Sequence, residues 1–405
     1  AGLLAEKRFK GEPLLRRAIS AAQRVGGNKE LNLVSDFASR SDIPANLRSE
    51  ALATLGTWPE PSLTDRVDGY YRGPVKRDAA PVNAIARERG KIWLNEKNPE
   101  VVLAAIKMIE RLGITDFNGV LSTMVRSHAS ENVRAATLVT LDSLNDPQME
   151  ALLAEGMRDK SENVRSTAIG LLKGLNLSEA KMVEVAQPIL ISGTIKEKQQ
   201  LLRVLSKLPA KQTEGLLTAF TSSAEGGRSG KEILLELSAA VGPQHSEDLR
   251  ARVEKLKAGR QELLFGGNAD RGAGYFFWNQ TGQCIRCHTM SGEGGKVGPP
   301  LTEIGSTLSR EQILEALIDP SARIAPGYGT TTLRMTDGSV HTGVVMEENK
   351  EFITMKTQDA EPLKLPVTRI SERKNSPSGM PDMESVMSAE DIRNMVEFLS
   401  GKKKK

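Results

Sequence analysis

The strongest constraint on how this chain can fold is a segment that repeats. Ser130-Glu131-Asn132-Val133-Arg134 recurs as Ser161-Glu162-Asn163-Val164-Arg165, and the apolar positions that follow superimpose: Leu138 on Ile169, Leu141 on Leu172, Leu144 on Leu175. A looser copy runs from Pro99-Glu100-Val101-Val102 through Ile106, Ile109 and Leu112, and another from Ala45-Asn46-Leu47-Arg48 through Leu55. Within each copy the apolar residues keep a helical period. A pair of helices cannot bury its apolar face alone, so such copies must stack, each against its neighbours. The helical period holds from Leu14 to about Lys257 with almost no strand signal. One proline- and glycine-rich stretch, Trp58-Pro59-Glu60-Pro61 to Arg72-Gly73-Pro74, interrupts it and is expected to be a long surface loop. His128 and His245 lie near predicted helix ends without a second ligand at metal spacing, and are expected to be surface histidines.

Near Ala258-Gly259-Arg260 the pattern changes, which divides the chain into residues 1–258 and 259–405. The second part contains Cys284-Ile285-Arg286-Cys287-His288, and with it both cysteines of the chain. In a Cys-x-x-Cys-His run, two thiols add to the vinyl groups of a haem and the adjacent histidine ligates the iron. The other readings are a redox dithiol or half of a zinc site. A thioredoxin-like dithiol wants a strand before it and a helix after it, and here that order is reversed.

Gln261 to Gln280 reads as helical and carries Tyr275-Phe276-Phe277-Trp278, aromatic residues that would pack on a macrocycle or simply fill a core. After the histidine, Ser291 to Gly298 is loop, closed by Pro299-Pro300-Leu301. A backbone carbonyl of this turn is placed to accept the proton of the far ring nitrogen of His288. Ser309-Arg310-Glu311-Gln312 has the form of a capping box before a short helix ending at Asp319-Pro320. From about 328 to 373 the period becomes alternating, with Asp337-Gly338 as a hairpin signal, so an antiparallel unit of four or five strands is expected there. Met380 lies in a loop bounded by proline and glycine, which suits a sulfur placed for ligation rather than for packing. Met383, Met387 and His341 are its rivals as the second axial ligand. A final helix carries Ile392, Met395, Val396 and Leu399 on one face, capped by Ser388 with Asp391.

A chain of 405 residues has room for about two to three domains. No apolar run approaches the roughly 18 residues of a membrane span. Aromatic residues make up 4% and the net charge is only +4, so the basic and aromatic surface of a nucleic-acid binder is missing. Lys402 to Lys405 is expected to be a solvated tail. The opening Ala-Gly-Leu-Leu-Ala-Glu-Lys lacks the form of a signal peptide, so the start reads as mature or cut from something longer.

Residues 259–405 resemble a class I cytochrome c domain: an aromatic first helix, Cys284 to His288, Gly298-Pro299-x-Leu301, a middle helix, Ser378-Gly379-Met380-Pro381 and a terminal helix that crosses the first. The glycine-rich loop, the run Ala316-Leu317-Ile318-Asp319-Pro320-Ser321 and the inserted Thr336-Asp337-Gly338 hairpin are similar to haem-binding domains of planctomycetes and verrucomicrobia. Residues 1–258 resemble HEAT-like repeats, in which an asparagine and an arginine tie one repeat to the next; Asn132, Arg134, Asn163 and Arg165 match those positions. The resemblance implies a mainly α protein, a HEAT-like α-solenoid followed by a cytochrome c domain with a β insertion. It also implies thioethers at Cys284 and Cys287, iron ligation by His288 and Met380, and a Pro299 carbonyl that accepts from His288. In that family the cytochrome and repeats often follow a propeller resembling sugar dehydrogenases, and no propeller is present here.

The function expected is one-electron transfer by a single haem c in the periplasm or another extracytoplasmic space. The repeats would serve as a docking surface for a redox partner, such as a sugar-type dehydrogenase; a homo-oligomer is compatible with the sequence. Two alternatives stand beside it. One is a peroxidase-like haem enzyme using His341 as its distal acid-base group. The other is a repeat scaffold with a sensory haem.

Overall fold

The computed structural model describes residues 1–227, 230–357 and 361–404. It is mainly helical, and the described residues also form a two-stranded antiparallel ribbon, Thr289–Met290 with Glu293–Gly294, and a small five-stranded antiparallel sheet. Among the described residues no helix is long and apolar enough to cross a membrane. Contacts divide the chain into two compact units, Ala1–Leu216 and Leu217–Lys405. Residues 217–258, which sequence periodicity groups with the repeats, therefore belong to the same unit as the cysteine motif.

In the first unit each repeat is a helical hairpin, and alternate helices stack. Ala45–Gly56 packs on Pro99–Leu112, which packs on Glu131–Ser143; that helix packs on Glu162–Leu171, and that one on Ile195–Leu205. The superimposed apolar positions Val133, Leu138, Leu141, Val164, Ile169 and Leu172 are all fully buried between them. Polar ties join the same helices. The Arg134 guanidinium donates to both oxygens of Asp159 at 2.7 and 2.8 Å and to the His128 carbonyl at 2.8 Å. One repeat later Arg165 donates to Glu197 at 2.6 Å and to the Asp159 carbonyl at 2.7 Å, while Asn163 donates to Asn132 at 3.1 Å. Arg48 repeats the arrangement with Glu96 and the Ala38 carbonyl. Burial alone would push the Asp159 carboxyl up, but Arg134 and the Ser161 amide hold it below the usual carboxylate range.

One expectation is met in the first unit, and one is overturned in the second. The stretch from Trp58 to Pro74 is loop, yet it is pinned: Trp58 is buried, and the buried Asp65 carboxylate accepts from Ser20 and from the Val67 and Asp68 amides. His245 is buried rather than superficial, because its Nδ1 accepts from the Gly242 amide at 3.0 Å and closes a turn.

In the second unit the helices Ala269–Trp278 and Ala389–Ser400 cross in close contact. Gly272 makes this approach feasible, since a Cβ there would overlap the Asn394 carbonyl oxygen. Phe276 and Phe398 pack beside the crossing with ring centroids 5.8 Å apart. The stretch from Gln261 is not continuous helix: a single 3₁₀ turn, Gln261–Leu263, precedes a break at Gly266-Gly267, whose backbones press on the carbonyls of Glu232 and Arg393. The helix starts only at Ala269, capped by Asn268. Arg393, 1% exposed, donates to both oxygens of Glu236, 4% exposed, at 2.8 and 2.7 Å. That pair ties the short helix Leu234–Ala240 to the terminal helix, and is a physical reason why residues before 258 fall in this unit.

The inserted sheet has five antiparallel strands in the order Leu363–Pro366, Phe352–Lys356, Val340–Glu348, Thr330–Met335, Ile370–Asn375. It has its own core of Leu333, Met335, Val345, Ile353, Met355 and Leu365. The expected capping box at Ser309 and Gln312 and the Ser388 cap are both present. The C-terminal lysines do not start as a solvated tail, for Gly305 donates to the Lys402 carbonyl at 2.8 Å and Lys404 to the Ser306 hydroxyl at 2.6 Å. Lys405 lies outside the described residues.

The Arg134–Asp159 pair gives a pH-dependent expectation. Removing one partner of a largely buried pair should destabilise the chain by about 2–4 kcal/mol at pH 7, so D159N should lower the urea midpoint. A depressed folded-state pKa contributes stability that is complete above the unfolded value, about 3.9, and is lost as pH falls through the lower folded value. The gap between wild type and D159N should therefore narrow below about pH 4. A gap that stays constant down to pH 3 would contradict this.

For the buried pair of the second unit, E236Q should cost about 3–5 kcal/mol, because it leaves the Arg393 charge uncompensated. The double variant E236L/R393M should recover most of that loss. Denaturant titrations check both, and a cost below about 1 kcal/mol for E236Q would mean that the pair does not fasten the two helices.

Candidate functional site

The cysteine motif sits where the helix Ala269–Trp278 stops. The Asn279 side chain accepts from the Thr281 and Gly282 amides, both at 2.8 Å, and turns the chain back. Gln283 then takes a left-handed conformation, φ 44°, and starts a single helical turn, Cys284–Cys287. The His288 amide closes that turn on the Cys284 carbonyl at 2.9 Å. The two thiols and the imidazole thus follow one another on one short, closed element.

The glycine-rich loop lies against this turn. Gly295 donates to the Ile285 carbonyl at 2.9 Å and Gly298 to the Cys287 carbonyl at 2.8 Å. A Cβ at Gly294 or Gly295 would overlap the carbonyls of His288 or Arg286, so only glycine permits so close an approach. Sequence reading identified this segment merely as loop; the clustered glycines were the signal that another backbone passes within touching distance. Thr289 adds a hydroxyl bond to the Gly295 carbonyl at 2.6 Å.

His288 Nδ1 lies 2.8 Å from the Pro299 carbonyl oxygen. A carbonyl can only accept, so Nδ1 carries a proton, and in the neutral ring Nε2 then keeps the lone pair with which a histidine can ligate a metal. Both cysteines are free thiols, Cys284 half-buried and Cys287 exposed. Burial pushes the Cys284 thiol above its ordinary pKa, and Cys287 adds to the effect. Among the described residues no three His, Cys, Asp or Glu side chains converge as they would around zinc.

The methionines separate by environment. Met383 and Met387 are buried in the apolar core of the second unit, together with Met290 and Met395. Met380 is half-buried at the edge of that core, as are Cys284, Ile285 and Leu301. Its loop is anchored at Ser378, whose amide donates to Ser321 at 3.0 Å and whose hydroxyl accepts from the Met380 amide at 3.1 Å. His341 sits on the strand Val340–Glu348, paired across the ladder with Leu333.

The aromatic cluster divides in three. Phe276 is core, Tyr275 and Phe277 lie at the core's edge, and Trp278 is 83% exposed. Tyr275 also donates its hydroxyl to the Val386 carbonyl at 3.2 Å, a tether between the first helix and the Met380–Met387 segment that nothing in the sequence marks.

These features fit a covalently held haem. Two thiols able to add across vinyl groups precede a histidine with Nε2 free, and the adjoining core has an edge of half-buried apolar side chains that includes a thioether. No protein-family model matches this chain, and no curated protein matches it in sequence.

Proposed function

We propose that this chain is a c-type cytochrome that carries one covalent haem for one-electron transfer, and that its helical repeats offer a docking surface to the partner that exchanges the electron. In this reading the repeats form a HEAT-like solenoid, and the region from Gly259 onward is a class I cytochrome c domain with a β insertion. The observation that carries the reading is the His288 Nδ1 to Pro299 carbonyl bond of 2.8 Å, made by a histidine that directly follows two free thiols. Cys284 and Cys287 would form the thioethers, and His288 and Met380 would supply the ligands to the iron.

Bound there, the haem would supply a one-electron couple whose potential a thioether ligand raises. The work of the chain's own residues is positional. The Pro299 carbonyl fixes the imidazole tautomer and increases its basicity. The loop from Gly294 to Gly298 holds the thiol turn in place, and Ser378 holds the Met380 loop. Two protein ligands would leave no coordination position for a substrate, so bond-making chemistry belongs to the partner. A dehydrogenase, of the sugar-oxidising type suggested by the resemblance, supplies electrons of the right kind. Haem attachment of this sort takes place outside the cytoplasmic membrane, which puts the protein in the periplasm or an equivalent space.

After expression with a c-type maturation system, an alkaline pyridine spectrum should show one covalent haem per chain, and the C284A/C287A variant should show none. A wild-type chain without covalent haem would overturn the proposal. M380A should lower the midpoint potential and alter the absorption spectrum. M383A and M387A should each cost about 2–5 kcal/mol of stability with the spectrum unchanged. If M383A or M387A moves the potential while M380A does not, the sixth ligand has been misassigned.

A further inference from the structure

The first unit has a cleft that electron transfer does not use, and the inference drawn from it is independent of the haem reading. The helix Glu12–Val25 contributes Ser20, Gln23 and Arg24 to one wall, the helix Ala45–Gly56 contributes Glu50 and Thr54 to another, and the loop after Trp58 closes the third. The cleft measures about 250 Å³, below the range of roughly 300–1,000 Å³ usual for drug-sized ligands and cofactors. A small ion or acid is the right scale.

The charge in the cleft favours an anion. Four arginines line it, Arg24, Arg66, Arg72 and Arg77, against two carboxylates, Glu50 and Asp65. Both carboxylates are already engaged, Glu50 with Arg16 at 3.2 Å and Arg66 at 3.1 Å, Asp65 with Ser20 at 2.8 Å, Arg24 at 3.3 Å and Arg72 at 3.8 Å, and Arg72 also pairs with Asp68 at 2.6 Å, which leaves Arg77 as the lining arginine to account for. Arg77 has no carboxylate partner among the described residues. Its guanidinium donates to the carbonyls of Trp58 at 2.9 Å and Gln23 at 2.6 Å, and lies 5.7 Å from the centre of the Trp58 ring. Burial presses its pKa below the usual arginine value. A half-buried cation held by neutral dipoles alone is under-compensated, and an anion beside it would remove that cost.

The loop that carries three of these arginines is also stiff. The Asp65 carboxylate accepts from the Val67 and Asp68 amides, and the Arg72 amide donates to the Leu63 carbonyl at 2.7 Å. The Ser62 and Thr64 hydroxyls, 3.4 Å apart, add neutral donors on the loop side. Donors reach the cleft from the helix Glu12–Val25 and from the loop, and a tetrahedral anion with three or four oxygens can accept from more of them at once than a carboxylate with two. We propose that this cleft binds a small tetrahedral oxyanion, sulfate or phosphate, either free or as the monoester of a sugar-sized molecule.

Isothermal titration calorimetry on the full chain tests this with inorganic sulfate and inorganic phosphate at pH 7, each compared with sodium chloride at matched ionic strength. One of the two should bind at a single site per chain. R24A and R66A should weaken that binding about tenfold, and R77K should weaken it while keeping the charge. R126A, paired with Glu155 away from this cleft, should leave it unchanged. Far-ultraviolet circular dichroism verifies that each variant is folded. Glucose 6-phosphate binding tighter than inorganic phosphate assigns the monoester, and equal or weaker binding assigns the free anion. Heats no larger than those of chloride, affinities unchanged in both R24A and R66A, or malonate binding as tightly as either oxyanion would overturn the proposal.

Discussion

The second unit depends on an ion pair sealed away from water. Arg393 and Glu236 meet through two hydrogen bonds, and Arg393 Nε has no hydrogen-bond partner among the described residues. Taking two charges out of water costs several kcal/mol each, and their attraction roughly balances that cost only when the geometry is good. The pair therefore adds little net stability over an apolar contact. Its effect is on specificity, because any arrangement that separates the two helices leaves a bare charge in the core. The terminal helix it fixes is the one that crosses the first helix at Gly272 and packs Phe398 on Phe276 and Phe277. The cysteine turn begins where that first helix ends. Position thus passes from a buried salt bridge, through a helix crossing, to the thiols.

This route explains why the edge of the second unit could not be read from the sequence. Glu236 and Arg393 are separated by 157 positions, and periodicity cannot link them. The helices after Leu217 keep the same helical period as the repeats, since a 3.6-residue pattern reports an apolar face and not what covers it. The repeats themselves were legible for the opposite reason. Their arginines sit at a fixed place on equivalent helices, so Arg134 and Arg165 are visible as a motif. Their acidic partners were not, because they lie 25, 32 and 48 positions away for Arg134, Arg165 and Arg48. Donors on a rigid element keep register, while acceptors outside it drift with loop length.

The candidate site divides along the same line. Cys284, Cys287 and His288 are legible because the chemistry they suit needs five contiguous residues, and contiguity is what a sequence displays. Met380 stands out in the sequence by its loop; in the structure it is half-buried at the edge of the core in which Met383 and Met387 are buried. For the bond between His288 and Pro299, the residues alone point to a carbonyl of the turn, the resemblance implies Pro299, and the structure places that oxygen 2.8 Å from Nδ1. The clustered Gly294 and Gly295 signal a close backbone approach without saying to which segment, because the carbonyls they meet lie on the cysteine turn.

The inserted sheet raises the question of how strands between a thiol turn and a distant methionine leave the intervening geometry undisturbed. The strand order answers it. Thr330–Met335 and Ile370–Asn375, the first and last long strands, are neighbours, so the chain leaves the sheet beside the point where it entered. The Ser376 amide bonds to the Thr330 carbonyl at 2.8 Å, and the Ser378 amide to Ser321 just before the insertion. An insertion that closes on itself adds stability from its own core and imposes little on its host, for the same reason that domains with adjacent ends tolerate being inserted. The Met380 loop is consequently held by contacts with residues on both flanks of the sheet. Its sulfur stands at the edge of the core through hydrogen bonds to Ser321 and Ser378, not through the length of chain between them.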